Sequence, residues 1–299
     1  MTAAGALPRR VLVLGLGHAG RALAFRLKAL GVAVEGSVRD PAAAPDDGIP
    51  RHRLHPGHAP GAALLAAVAR ADAVLCGVPP DADGDPALRL LVPALQASPA
   101  LRWVGYLSST AVYGDRDGGW IDEHSIADAT DAAATQRRLA EAQWRALARE
   151  RGIASALFRL PGLYGRDRNA LRQLAQGRAR HIVRPGLVFN RLHVEDLAEA
   201  VVAAMRRPTH NALYLPADDE PAPPQDVLAH AARLGGFAMP PALAWDDPAL
   251  SPTLRRFYAS NKRIDSRGTR ERLQWQPRFR TYRDGLRDAW DAGDGFAQQ

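Results

Sequence analysis

A short apolar run, Val11-Leu12-Val13-Leu14, passes without a linker into Gly15-Leu16-Gly17-His18-Ala19-Gly20, and that turn opens directly into a helical pattern. A strand that turns through three glycines into a helix is the opening of a βαβ unit built around a dinucleotide. Gly15 permits the tight turn, Gly17 lets a pyrophosphate approach the backbone, and Gly20 lets the helix pack close to the strand. The helix N-terminus, from His18 and Ala19 onward, then offers free N–H groups to the phosphates. The competing reading is a glycine-rich turn that holds nothing.

The strand-to-helix rhythm continues. GVAVEGSV, DAVLCGV, RWVGYLSS and ASALFRL read as further strands, mostly unbroken apolar runs suited to burial on both faces of a parallel sheet. Helices are expected over about 18–30, 62–70, 86–96 and 132–151, the last capped by Asp131 and stopped by Gly152. Later helices are expected near 171–176, 194–205 and 226–233. The expected fold is α/β, a doubly wound parallel Rossmann-type sheet with a smaller C-terminal substrate lobe. Residues 1–165 form most of the nucleotide-binding domain and 166–299 the lobe. The segment of about 190–216, with a strand near Leu213, is expected to return to the main sheet.

Composition narrows the function classes. No apolar run approaches the ~20 residues of a membrane span. The single cysteine, Cys76, ends an apolar run and reads as a buried small side chain in a reducing, cytoplasmic setting. No metal-ligand spacing occurs. Net charge is +7, but between Leu254 and Arg287 stand eleven basic and three acidic residues, so the basicity is local. No recognition-helix, RNA-binding or zinc-finger pattern accompanies it, which argues against nucleic acid. The expectation is that part of this segment lines the substrate cleft and that the substrate is a small anionic molecule; a merely solvated face is the alternative.

The second strand ends Val38-Arg39-Asp40. An acidic residue at this tip holds the ribose 2′-hydroxyl of NAD, whereas an arginine suits the 2′-phosphate of NADP. Arg39 comes first, so NADP is expected, with NAD as the alternative.

Three further motifs follow in order: Ser108-Ser109-Thr110-Ala111-Val112-Tyr113-Gly114, Phe158-Arg159-Leu160-Pro161-Gly162-Leu163-Tyr164-Gly165, and Arg191-Leu192-His193-Val194-Glu195-Asp196. Together with the glycine turn they resemble the extended short-chain dehydrogenase/reductase superfamily, in particular the NAD-dependent epimerase/dehydratase family. The glycine spacing and Val78-Pro79-Pro80 resemble an atypical bacterial branch. The resemblance implies that Ser109 hydrogen-bonds the substrate oxygen. It implies that Gly77, Val78, Pro79 and Ser108 lie against the cofactor. It also implies that Pro161 and Leu163 flank the nicotinamide, and that His193 to Asp196 start the helix closing the site.

The chain departs from that pattern where the chemistry resides. The family pairs a tyrosine with a lysine four residues on, on the helix after the Ser109 strand. Here that helix reads Ala132-Ala133-Ala134-Thr135-Gln136-Arg137-Arg138, and the whole chain has only two lysines, Lys28 and Lys262. Arg137 is expected to replace the lysine at the ribose, with Ala133 at the tyrosine position; Thr135 is a hydroxyl at the wrong offset. Tyr164 and His193 are the expected substitute acids, with Tyr106 and Tyr113 also available. Tyr258-Ala259-Ser260-Asn261-Lys262 has the spacing but sits beyond every cofactor motif and reads as a chance match. Two functions remain open: an oxidoreductase or epimerase-like enzyme on a hydroxyl or carbonyl substrate, and a non-catalytic NADP-binding sensor or regulatory protein.

Overall fold

A computed structural model describes residues 5–296. Its centre is a seven-stranded parallel sheet: β1 (Arg10–Leu14), β2 (Ala33–Val38), β3 (Arg51–Arg53), β4 (Ala73–Cys76), β5 (Trp103–Ser109), β6 (Ala154–Leu160) and β7 (Ala212–Tyr214). The spatial order is β7-β6-β5-β4-β1-β2-β3, with every neighbouring pair parallel. The chain reverses its direction of travel across the sheet between β1 and β4, so this is a doubly wound Rossmann-type sheet, and ligands of such sheets bind outside the strand C-termini at that crevice.

Helices cover both faces: α1 (His18–Ala29), α2 (Ala62–Arg70), α3 (Pro86–Ala97), α4 (Ala132–Arg151) and α6 (Val194–Arg206). Alternation along β1 divides the core. Val11 and Val13 pack with α1 and α6, while Leu12 and Leu14 pack with α2, α3 and α4. The caps of α4 lie where the sequence puts them. Asp131 accepts from the amides of Ala133 and Ala134, and Gly152 ends the helix at φ +63°. Cys76 is buried and donates to Asp85, which also caps α3 and accepts from Trp144 Nε1, so the cysteine is a core residue.

The C-terminal part adds α5 (Ala170–Ala175), α7 (Pro224–Gly235), α8 (Pro252–Ala259), α9 (Arg267–Leu273) and α10 (Tyr282–Asp291). Tyr164, Leu171, Val227, Leu228, Tyr282 and Leu286 form a second core under α5, α7 and α10. Short parallel pairs, 162–164 with 191–193 and 120–121 with 263–264, tie these segments to the ends of the main sheet. One strand escapes a reading by pattern: β3 is Arg-His-Arg at the sheet edge, bonded only to β2, so it needs no apolar alternation. Among the described residues no helix is long and apolar enough to cross a membrane.

Candidate functional site

The glycine turn is pinned to the tip of β2. Gly15 has φ +90°, its amide donates to Ser37 Oγ at 3.0 Å, and the Leu16 amide donates to the Ser37 carbonyl at 2.8 Å. A Cβ on Gly20 would stand 2.3 Å from the Gly15 carbonyl oxygen, so close packing of α1 on the turn requires that glycine. Gly17 is different. Its φ of −76° suits any residue, and a Cβ there would meet nothing within 4 Å. No side chain caps α1 either, so the first-turn amides face open space at the positive end of a helix. The room beside Gly17 is what a close-lying pyrophosphate needs. His18, in the first turn, has a buried Nε2 with no hydrogen-bond partner among the described residues. Burial, with the charge of Arg168, lowers its pKa and keeps the imidazole neutral.

At the tip of β2, Asp40 accepts from the Ala42 amide at 3.1 Å and caps a short turn. Arg39 is exposed and forms no ion pair among the described residues. Gly77 follows β4, donating to the Leu14 carbonyl at 2.9 Å, and Val78 packs against Gly15, while Pro79 is exposed.

A cleft of about 610 Å³ opens from this crevice. Ala19, Gly77, Ser108, Ser109, Arg137, Pro161, Leu163 and Tyr164 all line it, so the geometry brings eight of the sequence candidates together. Ser109, at the end of β5, accepts from the Ala111 amide at 3.1 Å, which leaves its hydroxyl proton available to the cleft. Arg137 donates to the Leu107 carbonyl at 3.1 Å and to Tyr106 Oη at 3.2 Å and lines the cleft. Ala133, one turn earlier, is exposed and offers no acid.

Several candidates, two of the cleft-lining residues among them, have their polar groups tied into the structure. Ser108 is buried and donates to Glu141 Oε1. Glu141 forms a buried bidentate pair with Arg159, which also donates to Tyr113 Oη at 2.9 Å; Tyr113 itself donates to the Asp122 carbonyl. Burial pushes the Tyr113 and Tyr106 phenols up. Tyr164 presents its ring to the cleft, but its hydroxyl donates to the Thr281 carbonyl at 3.2 Å, and burial raises its pKa. His193 is fully buried, accepts from the Glu195 amide through Nδ1 and packs against Tyr164 and Phe279. Burial pushes its pKa down to about 4. Asp196 accepts from the amides of Arg278 and Phe279.

The expected lining of the cleft by the basic C-terminal segment is corrected. Of its basic side chains that the structure describes, none lines the cleft; the segment contributes Phe257, Tyr258, Tyr282 and Leu286 instead. Its arginines reach distant acids: Arg272 to Glu123 at 2.9 Å, Arg270 to Asp219, Arg283 to Glu220. The cleft is nevertheless basic. Arg137, Arg168, Arg180 and Arg191 line it, no aspartate or glutamate does, and none of the four forms an ion pair among the described residues. Arg191 is held by the carbonyls of Phe189 and Ala222, at 3.0 and 2.9 Å. Sequence reasoning found Arg137 but missed Arg168, Arg180 and Arg191. Their signal is faint: Arg191 stands two residues before His193 in a quoted motif, but Arg168 and Arg180 stand in no motif.

A family model described as NAD dependent epimerase/dehydratase family matches residues 87–214. No curated protein matches the chain. The chain is similar to the solved structure of a functionally unknown conserved protein from Silicibacter pomeroyi DSS, at 38% identity and TM-score 0.85, covering 95% of this chain and 99% of that one. It is similar to a putative NAD-dependent epimerase/dehydratase from Methylobacillus flagellatus, at 23% identity and TM-score 0.71, covering 96% and 99%. It shares its fold with UDP-glucose 4-epimerase of Thermus thermophilus, solved as a complex with NAD, at 17% identity and TM-score 0.73, covering 95% and 99%.

Proposed function

Since this chain belongs to the NAD-dependent epimerase/dehydratase family, we propose that it binds a nicotinamide dinucleotide on the glycine turn and acts as an oxidoreductase or epimerase-like enzyme. The substrate is a small hydroxyl or carbonyl compound bearing a negative charge. The observation that carries this reading is the open space at Gly17, beside uncapped helix amides, at the mouth of a cleft that also holds Ser109.

The residues fit the group. Gly15, Gly17, His18, Ala19 and Gly20 hold the pyrophosphate, Arg137 the nicotinamide-side ribose, and Gly77, Pro161 and Leu163 the nicotinamide walls. Val78, Pro79 and Ser108 lie against the cofactor beside that wall. Bound there, the dinucleotide supplies hydride exchange at the nicotinamide ring. Ser109 orients the substrate oxygen with its free hydroxyl proton. Tyr164 shapes the wall beside it and His193 packs behind that tyrosine: the tyrosine proton is held by Thr281, and the imidazole is neutral and buried. The unpaired cleft arginines, Arg191 foremost, receive the substrate anion. Arg39, exposed beside an Asp40 that is occupied in capping, favours NADP, although the Thermus thermophilus epimerase was solved with NAD.

A second reading has its own observation. The helix 132–151 carries neither a tyrosine nor a lysine, and Arg137 enters the cleft from it while Ala133 is exposed, which supports the alternative of a non-catalytic NADP-binding sensor. One experiment separates the two. The protein is loaded with NADPH and offered a panel of anionic ketones, aldehydes and nucleotide sugars, with nicotinamide oxidation followed. Turnover that falls by about a hundredfold in Ser109→Ala supports the enzyme. Tight binding with no hydride transfer to any member supports the sensor.

A further inference from the structure

Six tyrosines occur in the chain, and the absence of one from α4 makes their positions decisive. The hydroxyls of Tyr113 and Tyr164 donate to backbone carbonyls, and Tyr106 is a fully buried core residue held by Arg137. Tyr214 is buried against Phe158 on the far strand of the sheet. Two tyrosines line the cleft with hydroxyls that have no hydrogen-bond partner among the described residues: Tyr258, on α8, and Tyr282, at the start of α10.

The segment after Tyr258 folds back toward the Ser109 side of the cleft. Lys262 Nζ donates to the Tyr113 carbonyl at 3.0 Å, and the Asn261 amide donates to Asp115, so residues 258–262 sit against the loop that leaves β5. Tyr258 also packs edge-on against Phe189, with ring centroids 5.8 Å apart. Phe189 adjoins Asn190, whose carbonyl accepts from the Gly162 amide beside the Pro161–Leu163 wall. Lys262 is no partner for the phenol: α8 ends at Ala259, and the ammonium turns to Tyr113 and Ser260. Burial raises the Tyr258 phenol, as it does the other tyrosines, and the charge of Arg191, from the 191–193 strand, opposes it. Arg184 donates to the Tyr258 carbonyl instead, and the ring of Tyr258 is buried among Ile182, Leu187 and Leu250, with Phe257 beside it.

We propose that Tyr258 is the catalytic acid and base of this cleft, supplied from the C-terminal segment in place of the tyrosine missing from α4, with Arg191 as its positioning cation. The proposal rests on the dinucleotide reading above. In the reducing direction the substrate carbonyl carbon gains hydride from the reduced dinucleotide, and its oxygen takes the Tyr258 proton. The phenolate is then reprotonated from water; oxidation runs the same transfers in reverse. The spacing Tyr258-x-x-x-Lys262 is thus chance as a pair, while its tyrosine is the functional half.

The test needs no substrate. An oxidised nicotinamide ring carries positive charge, and a phenol beside it ionises more readily. Phenol ionisation is followed by ultraviolet difference absorbance during a pH titration, with and without saturating oxidised NADP. In wild type, one tyrosine step moves down by about one pH unit on adding the cofactor. The movement disappears in Tyr258→Phe and persists in Tyr282→Phe. Arg191→Gln raises the same step, a second reading should Tyr258→Phe fail to fold. A movement that survives in Tyr258→Phe, or no movement in wild type that has bound cofactor, overturns the proposal. Failure to bind cofactor at all, seen separately by nicotinamide fluorescence, overturns the dinucleotide reading and this inference with it.

Discussion

Glu141 and Arg159 face each other beneath the floor of the cleft as a buried bidentate pair, with Nε–Oε1 and Nη2–Oε2 distances of 3.0 and 2.7 Å. The pair joins α4 to β6, and Ser108 and Tyr113 complete its hydrogen bonds. Removing one member leaves the other charge buried without compensation, which costs about 3–5 kcal/mol. Glu141→Gln therefore lowers unfolding stability by about that amount in a urea titration. A loss below about 1 kcal/mol would show that water or a neighbour takes over the guanidinium.

His193 gives the fold an acid-side sensitivity. Burial holds its imidazole at a pKa of about 4, against an ordinary 6.5. Between those values the unfolded chain binds a proton at this site that the native protein refuses, so the His193 contribution to native stability falls as pH drops from about 6.5 toward 4, while the carboxyls of Asp196 and Asp218, both raised by burial, contribute in the opposite direction. At 1.36 kcal/mol per unit the loss is about 3 kcal/mol. His193→Gln removes that contribution, so the stability difference between wild type and variant changes by about that amount between pH 6.5 and 4; a difference that stays constant would show that His193 titrates normally in the native state.

Cofactor choice is predicted at Arg39. Wild type binds NADPH more tightly than NADH, and Arg39→Ala loses about tenfold in NADPH affinity with NADH unaffected, as expected for one charge-assisted contact. Equal wild-type affinities, or an NADPH preference that outlasts the substitution, would assign the 2′-phosphate to another group or to none.

Anion recognition is predicted at Arg191. Any charged substrate found in the panel should show a KM raised about tenfold or more in Arg191→Gln. The neutral substitutions Arg272→Gln and Arg283→Gln should leave KM alone, because those side chains pair with Glu123 and Glu220 away from the cleft. The opposite pattern would restore the basic segment as the substrate's docking surface.

Local signals carried much of this fold. The strand, glycine turn and helix at 11–29 and the capped helix 132–151 are written in contiguous residues whose backbone demands are strong: a positive φ at Gly15 and Gly152, an acid at Asp131. The polar edge strand Arg51–Arg53 carries no such mark, because one neighbouring strand is all it needs. Charge density along the chain misdirected the reading of the cleft. Six of the eleven basic residues clustered in sequence pair with acids such as Glu123, Asp219 and Glu220, while the cleft's own arginines converge from 137, 168, 180 and 191. Convergence of that kind depends on how α4, α5 and the 191–193 strand pack, which no short window contains. Tyr258 was obscured for the same reason.

The central claim is that a dinucleotide lies against Gly17, and one paired measurement tests it most directly. NADPH binding and urea unfolding are measured for wild type and Gly17→Ala. A methyl group at Gly17 meets no protein atom within 4 Å and the backbone there is unstrained, so the stability loss should not exceed about 1 kcal/mol, the cost of alanine in place of glycine at a helix N-cap. The same methyl intrudes on the pyrophosphate, so NADPH affinity should fall by about tenfold or more, which is ~1.4 kcal/mol. No NADPH binding to wild type, or equal binding to both proteins, would contradict the account.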